Sequence, residues 1–241
     1  MGIETWLIGL GIVAIAGFIR GFAGFGSAMI LAPALSLLFE PQQAVATIIL
    51  LEMTAGAGLV PEASKKAKWQ AVLPLVLSAM VMVPVGAHFL SLLESNLIRR
   101  IMGGLILGFV LLLMIGKSHY YSKPHLMLTS AVGALSGFLT GLTSMGGPPI
   151  VLYEMSGENS AAANRANFIM FFALTQFIAL MSYWISGILT IAIWQLFAKF
   201  VPAFGMGLLV GRFCFKQVNE VLFRRFVLGL LLVVAVMALV V

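Results

Sequence analysis

The sequence predicts an all-α polytopic membrane protein made of two related halves, and three features of the chain lead to this prediction. Of its 241 residues, 61% are hydrophobic and only 9% are charged, whereas a soluble domain carries about 25% charged residues. Apolar stretches of roughly 20 residues, the length that crosses about 30 Å of hydrocarbon, recur along the chain. Two Gly-rich segments interrupt longer apolar stretches at similar positions in the two halves.

Each half begins with one long interrupted segment and continues with three ordinary spans. The ordinary spans are predicted at 44–60, 69–93 and 97–116, then at 161–185, 188–211 and 221–241. The long segments are 5–39 and 126–155, and they are broken by GFAGFG and TGLTSMGGPP. Glycine and proline at this density end helices, so each long segment should contain two helical arms.

The two halves are copies of one unit. A shift of 120 residues aligns Gly17-Phe18 with Gly137-Phe138, and a shift of 125 aligns Trp69-Gln70 with Trp194-Gln195 and Arg99-Arg100 with Arg224-Arg225. Glycine and leucine match by chance in any apolar chain, but paired Trp-Gln and Arg-Arg at one offset do not. We therefore expect two repeat units, 1–120 and 121–241, joined by a polar linker at 117–125 and forming one transmembrane domain.

A broken long segment either crosses the membrane as one interrupted helix or enters and returns as a re-entrant hairpin. The first topology divides the basic residues of the loops five against seven, and the second divides them ten against two. Cytoplasmic loops carry an excess of lysine and arginine, so the second division is the better fit. We expect an inverted repeat with both termini on the non-cytoplasmic side.

The breaks are the first candidate binding site. In inverted-repeat transporters half-helices meet near the midplane, where their N-terminal N–H groups favour bound anions. Close backbone approach and hydroxyl donors are available at the breaks from Gly24, Gly26, Ser27, Thr143, Ser144, Gly146 and Gly147. The alternative is that such glycines only let helices pack closely. We favour this alternative for the GxxxG pairs Gly17, Gly21, Gly137 and Gly141.

Ionisable residues at membrane depth are costly and therefore suggest function. Arg20 precedes the first break and is the preferred fixed cation for an anion, with an ion pair to Glu52 as the alternative. Glu52 could carry a coupling proton or brace a cation. Lys199 could pair with Glu52 or snorkel to a membrane face. Asn164, Arg165 and Asn167 open the span after the second break, where they either reach the hairpin tip or form a wetted helix entry.

The chain resembles the sulfite exporter TauE/SafE family of permeases at GFAGFGSAMILAPAL, GFLTGLTSMGGPPIVLY and AAANRANFIMFF. The resemblance covers essentially the whole length. It implies transport of small sulfur-containing anions, such as sulfite, sulfoacetate or other organosulfonates, across the bacterial inner membrane. It carries over the two Gly-rich segments and the Asn-Arg-x-Asn run as functional candidates. The first copy reads Gly-Ser where the second reads Gly-Gly-Pro-Pro, so the two hairpins need not serve equally.

These observations favour a secondary carrier, with an anion channel or a permease for a different small organic anion as the alternative. The chain has no aspartate, three histidines and one cysteine, so it lacks the side-chain groupings of hydrolases and metal-dependent transferases. We therefore expect no enzyme activity, metal site or cofactor. The basic loops fit the positive-inside rule better than a nucleic-acid partner. The expected partners are a small anion and the lipid bilayer, with a homo-oligomer as a further possibility.

Overall fold

The computed structural model describes residues 3–115, 126–156, 159–215 and 229, and all regular structure in these ranges is α-helical. The helices are α1 (Ile3–Ala23), α2 (Ser27–Leu38), α3 (Pro41–Lys66), α4 (Trp69–Leu92), α5 (Ser95–Ile115), α6 (Leu126–Thr143), α7 (Gly147–Met155), α8 (Ala161–Ile185) and α9 (Ile191–Phe215). This confirms the all-α prediction. The predicted span 221–241 lies outside the described residues.

Within the described ranges, six helices are long and apolar enough to cross a membrane, namely α1, α3, α4, α6, α8 and α9. The bounds of α8 are those predicted, and α4 ends one residue early. The prediction for α3 was too short, because the helix begins at Pro41 and continues through Pro61 to Lys66. Helix α9 begins three residues later and ends four residues later than predicted. A proline removes one N–H donor and bends a helix, but neighbouring helices in a membrane can keep that helix continuous.

Both long segments break where the sequence predicts. Helix α1 ends at Ala23 and α2 begins at Ser27, and the intervening Gly24 and Gly26 have φ angles of 82° and 95°. Glycine adopts this left-handed conformation readily because it has no Cβ. In the second break, between α6 and α7, Ser144 has a φ of 61°. A serine there is strained, so the surrounding contacts must hold it in place.

The two arms of each broken segment lie side by side. The ring of Trp6, near the start of α1, has its centroid 6.1 Å from that of Phe39, which follows α2. The hydroxyls of Thr129 in α6 and Tyr153 in α7 are 2.5 Å apart. We refer to α1 and α2 as hairpin one and to α6 and α7 as hairpin two.

Small residues pack hairpin one on α9 and hairpin two on α4. A Cβ placed on Gly17 would lie 2.2 Å from the Phe204 carbonyl oxygen, and one on Gly137 would lie 2.6 Å from the Ala79 Cα. Such distances leave no room for a side chain. The same holds for Gly21 and Gly141. The four GxxxG glycines therefore serve helix packing, as the alternative interpretation proposed.

The partner helices α9 and α4 also contribute glycines to these two interfaces. A Cβ on Gly211 would lie 2.0 Å from the Phe18 carbonyl oxygen, and one on Gly86 would lie 2.1 Å from the Phe138 carbonyl oxygen. In both interfaces, residues later in one helix contact residues later in the other. Helix α1 therefore runs parallel to α9, and α4 runs parallel to α6. Helix α3 packs against α8 between these pairs. The hairpins are thus held against a central α3–α8 pair.

Candidate functional site

Hairpin one is joined to α3 by a buried ion pair. The Nε atom of Arg20 lies 2.9 Å from Oε2 of Glu52, and both side chains are 1% exposed. The hydroxyl of Ser27 donates to the other carboxylate oxygen. Nε2 of Gln176 in α8 donates to Oε2 over 3.0 Å. Glu52 therefore pairs with a cation from α1 and accepts hydrogen bonds from α2 and α8. Arg20 has the ion-pair partner that the sequence analysis gave as its alternative.

The remaining nitrogens of Arg20 bind neutral oxygens. Nη1 donates to the Gly24 carbonyl oxygen over 2.8 Å, and Nη2 donates to Oε1 of Gln176 over 3.3 Å. The guanidinium carbon also lies 5.3 Å from the centroid of the Phe172 ring. Arg20 is thus positioned by the first break, by α3 and by α8. The sequence analysis missed Gln176, although a glutamine within an apolar span was a usable signal.

Arg165 caps the end of α1. Its Nε donates to the Phe22 carbonyl oxygen over 2.9 Å, and its Nη2 donates to the Gly21 carbonyl oxygen over 2.6 Å. The last carbonyls of a helix have no partner within the helix, and a cation there is also favoured by the helix dipole. The sequence analysis gave two alternatives for this polar run, contact with the tip of hairpin two or a wetted helix entry. Arg165 instead reaches the first break, beside Gly24.

The two asparagines of the run differ in their contacts. Oδ1 of Asn167 accepts from the Lys68 N–H over 2.8 Å, and its Nδ2 donates to Oε2 of Glu154 over 2.6 Å. Asn167 therefore ties the end of hairpin two to the turn between α3 and α4. Asn164 is 2% exposed, and among the described residues no donor reaches its Oδ1.

The second break is held by neutral groups. The Ser144 hydroxyl donates to the Val45 carbonyl oxygen over 3.2 Å. The Tyr183 hydroxyl donates to the Gly141 carbonyl oxygen over 2.7 Å. Thr143 donates to the Leu139 carbonyl oxygen and accepts from the N–H of residue 145. A Cβ on Gly146 would lie 2.0 Å from the hydroxyl oxygen of Thr140, so this glycine is required for a close approach within the hairpin.

The tips of the two hairpins meet inside the molecule. A Cβ on Gly147 would lie 3.6 Å from Sδ of Met29, 3.9 Å from Cδ2 of Phe25 and 3.8 Å from Cζ of Phe172. Phe25 is 0% exposed. Because Phe172 also packs on the Arg20 guanidinium, one aromatic ring connects the tip of hairpin two with the ion pair of hairpin one.

The predicted site residues therefore divide into groups. Arg20, Gly24, Ser27 and Glu52 form one cluster at the first break, and Gly147 reaches it through Phe172. Lys199 is apart from this cluster, because its Nζ lies 4.5 Å from the centroid of the Trp6 ring. Arg20 follows Trp6 by fourteen positions on α1, which is about 21 Å along the helix axis. Pairing of Lys199 with Glu52 was therefore a wrong expectation.

Comparison with known proteins identifies the family. The family model described as sulfite exporter TauE/SafE matches residues 9–238, which is nearly the whole chain. No curated protein and no solved structure matches the sequence. The match agrees with the polytopic helical fold described above. The chain is thus a multi-pass membrane protein that belongs to the sulfite exporter TauE/SafE family of transporters.

Proposed function

We propose that this protein is a secondary carrier for a small sulfur-containing oxyanion, such as sulfite or an organosulfonate, with no catalytic activity. The anion binds between the two hairpin tips, near the membrane midplane. The observation that carries this proposal is the meeting of two buried helix breaks beside the buried guanidinium of Arg20. Guanidinium and free helical N–H groups are both suited to an oxyanion.

The depth of the cluster supports this position. Glu52 is about 17 Å from the start of α3 along the helix axis, and the whole of α3 is about 38 Å long, at 1.5 Å per residue. The cluster therefore lies near the middle of a helix that is long enough to cross the bilayer. A charged group at this depth is expensive and is usually retained for a function.

The donors in the proposed site come mainly from hairpin one. Helix α2 begins at Ser27, and the first N–H groups of a helix lack helical partners. Helix α7 begins with Gly147, Pro148 and Pro149, and proline has no N–H. In the proposed site hairpin one contributes N–H donors and a cation, while hairpin two contributes the glycine that allows close approach.

We further propose that units 1–120 and 121–241 form an inverted repeat. The reciprocal contacts of α1 with α9 and of α4 with α6 support this. Nε2 of Gln42 donates to the Leu90 carbonyl oxygen, so the ends of hairpin one lie on the same side as the α4–α5 turn. Nζ of Lys68 donates to Oδ1 of Asn159, so the ends of hairpin two lie on the side of the α3–α4 turn.

The lysines support an orientation in the bacterial inner membrane. Lys65, Lys66 and Lys68 lie at the α3–α4 turn, and this side is cytoplasmic by the positive-inside rule. Hairpin two then enters from the cytoplasm, and hairpin one enters from the opposite side. The N-terminal end of α1 lies outside the cytoplasm in this arrangement. Cysteine labelling near residue 3 from the cytoplasmic side would contradict the orientation.

The carrier proposal is tested by flux into proteoliposomes. Radiolabelled sulfite should enter vesicles that contain the wild-type protein, and Arg20→Ala or Gly147→Leu should abolish the flux. Arg20→Ala removes the cation, and a leucine at 147 would be forced between the tips. Gly104→Leu is the matched control, because nothing lies within 4 Å of a Cβ at that position. Undiminished flux in both site variants would refute the site, and single-channel currents would indicate the channel alternative.

The identity of the anion is tested by ligand stabilisation. A ligand that binds only the folded protein raises its unfolding temperature by mass action. Sulfite, sulfoacetate, sulfate and thiosulfate should be compared at equal concentrations. Stabilisation by sulfite or sulfoacetate over sulfate is expected. If none of these four anions stabilises the protein and a carboxylate without sulfur does, the result would favour a permease for a different organic anion.

A further inference from the structure

The cluster at the first break also indicates how anion binding is coupled to an ion. We infer that the transported anion replaces the Glu52 carboxylate on Arg20 while Glu52 takes up one proton, so that one proton binds with each anion. This inference rests on the proposed function, because it concerns the same site. The Arg20–Glu52 contact is described above, and neither side chain is more than 1% exposed.

The argument begins with charge balance in the buried cluster. Arg20 stays protonated, so the anion can reach it as a counterion only if Glu52 moves away. A carboxylate left ionised without its partner would be a buried, unpaired charge, which is strongly unfavourable. A proton from water on Glu52 removes that charge. The guanidinium then faces one anionic group of the bound solute, where before it faced one carboxylate.

The hydrogen bonds around Glu52 allow this exchange. The Ser27 hydroxyl, which donates to the carboxylate in this structure, can equally accept a hydrogen bond from a protonated carboxyl group. Gln176 can keep its bond from Nε2 to Glu52, because a carboxyl oxygen still accepts. The added proton therefore lies on Glu52 and is donated in a hydrogen bond to the Ser27 hydroxyl oxygen. No other residue has to take up a proton in this exchange.

The guanidinium stays in place when Glu52 moves. Nη1 and Nη2 of Arg20 remain bound to the carbonyl oxygen of Gly24 and to Oε1 of Gln176. Only the Nε contact changes its partner from Glu52 to the anion. Since Phe172 packs on Arg20 and also lies next to Gly147, the vacated position faces the meeting point of the hairpin tips.

Other charged groups near α3 already have different partners in the described part of the chain. Helix α2 contains no charged residue. Besides Arg20, five cations lie on described helices that pack against α3 or α2. Four of them bind elsewhere, namely Arg165 on the Gly21 and Phe22 carbonyls, Arg212 on Gly58 and Glu62, Lys199 on Trp6, and Arg99 on the Ser36 carbonyl. The fifth, Arg100, is exposed. Glu52 is therefore the carboxylate that can respond when Arg20 binds an anion.

The exchange also bears on the movement of hairpin one. Glu52 holds α1 through Arg20 and α2 through Ser27. Protonation weakens the first contact and reverses the direction of the second. Binding of the proton and the anion therefore loosens the attachment of hairpin one to α3. Hairpin one can then move, as a carrier requires if its site is to open to the other side of the membrane.

Proton uptake during binding tests the inference. Sulfoacetate is the probe, because both of its acidic groups stay ionised near neutral pH, and purified protein in weak buffer is the sample. The wild-type protein should take up about one proton per bound anion, so its Kd should rise about tenfold for each unit of increasing pH. Glu52→Gln should bind without proton uptake and with a Kd that does not change with pH.

Glu62→Gln is the matched control. Glu62 is a carboxylate on the same helix, but it pairs with Lys66 and Arg212 near the end of α3. This variant should keep the wild-type proton uptake. The inference is overturned if the wild-type protein binds sulfoacetate without taking up a proton, or if Glu52→Gln still takes one up. The proposed function survives either result.

The proposed function fails separately if neither sulfoacetate nor sulfite binds or is transported, and the inference then falls with it. Should Glu52→Gln be unstable, the double variant Arg20→Gln with Glu52→Gln is the second test. It leaves no unpaired buried charge, so it should fold but lose at least about tenfold in affinity for the anion. Anion affinity equal to wild type in the double variant would overturn the inference.

Discussion

The two hairpins break at equivalent positions but are held by different chemistry. Hairpin one is attached through charges, with Arg20 on Glu52 and Arg165 on the end of α1. The break of hairpin two is attached through neutral hydroxyls, those of Ser144 and Tyr183. The two breaks are thus alike in position, whereas the side chains that hold them are not.

One pair of equivalent atoms makes the difference plain. The carbonyl oxygens of Gly21 and Gly141 are separated by 120 residues in the sequence, and each lies near the end of the first arm of its hairpin. The first accepts from the Arg165 guanidinium and the second from the Tyr183 hydroxyl, and both donors come from α8. Helix α8 therefore anchors both hairpins, with a charge on one side and a neutral group on the other.

Positions 120 residues after the charged cluster show the same asymmetry. Thr140 corresponds to Arg20, Gly147 to Ser27 and Phe172 to Glu52. No charge is repeated. A buried ion pair is costly to form, and a second one would add that cost again. This difference fits the proposed site, in which one hairpin provides the charge and the other provides the shape.

The largest expected effect on stability comes from removing the α3 carboxylate that pairs with Arg20 of hairpin one. Glu52→Ala should lower the free energy of unfolding by about 3–5 kcal/mol, because Arg20 would remain buried without its partner. Chemical unfolding in detergent measures this. Thr143→Ala in hairpin two is the matched control and should cost about 1 kcal/mol. Equal losses in the two variants would show that the buried ion pair contributes no more to stability than a neutral hydrogen bond within hairpin two.

The next effect compares the two donors of α8. Arg165→Met should lower the free energy of unfolding by about 3 kcal/mol, since it removes two charged hydrogen bonds to the end of α1. Tyr183→Phe removes one neutral hydrogen bond to the Gly141 carbonyl and should cost about 1 kcal/mol. The same unfolding assay serves both. A larger loss for Tyr183→Phe would reverse the proposed ranking of the hairpins.

Adjacent glycines of hairpin two should respond differently to one methyl group. Gly146→Ala should destabilise by about 2 kcal/mol, because its Cβ would also lie 2.3 Å from the Ser136 carbonyl oxygen. Gly147→Ala should change stability by less than about 0.5 kcal/mol, since its Cβ meets only ordinary contacts. Unfolding temperatures of the two variants, purified side by side, check this. Equal destabilisation would mean that the tip is packed differently.

The smallest effect concerns the strained serine of hairpin two. Ser144→Gly loses a hydrogen bond worth about 1 kcal/mol but relieves left-handed strain of about the same size. Its net effect on stability should therefore be close to zero. Ser144→Ala loses the bond and keeps the strain, so it should cost about 1 kcal/mol more than the glycine variant. A glycine variant less stable than the alanine variant would show that residue 144 carries no strain.

Several features of the site could be predicted from the sequence because they depend on neighbouring residues. The break between Ala23 and Ser27 was predicted from Gly24 and Gly26, whose local conformation needs no knowledge of the fold. The beginning of α7 at Gly147 was predicted in the same way from the following prolines. Apolar length predicted the spans for a similar reason, since it measures only the thickness of the bilayer.

The contacts between side chains on different helices could not be predicted in this way. Glu52 and Gln176 are separated by 124 residues, and no local pattern relates them. The contact of Arg165 with the first break was not among the alternatives, because both were based on its sequence proximity to hairpin two. Helix packing brings α8 next to both hairpins, with Arg165 beside hairpin one and Tyr183 beside hairpin two.

The sequence by itself therefore determined the membrane class and the position of the two helix breaks, because hydrophobic length and glycine or proline chemistry act locally. Only the tertiary structure decided that Arg20 is neutralised by Glu52, that the GxxxG glycines are packing positions and that the hairpin tips touch. These outcomes depend on which helices become neighbours, and that choice is made by close packing across the whole bundle.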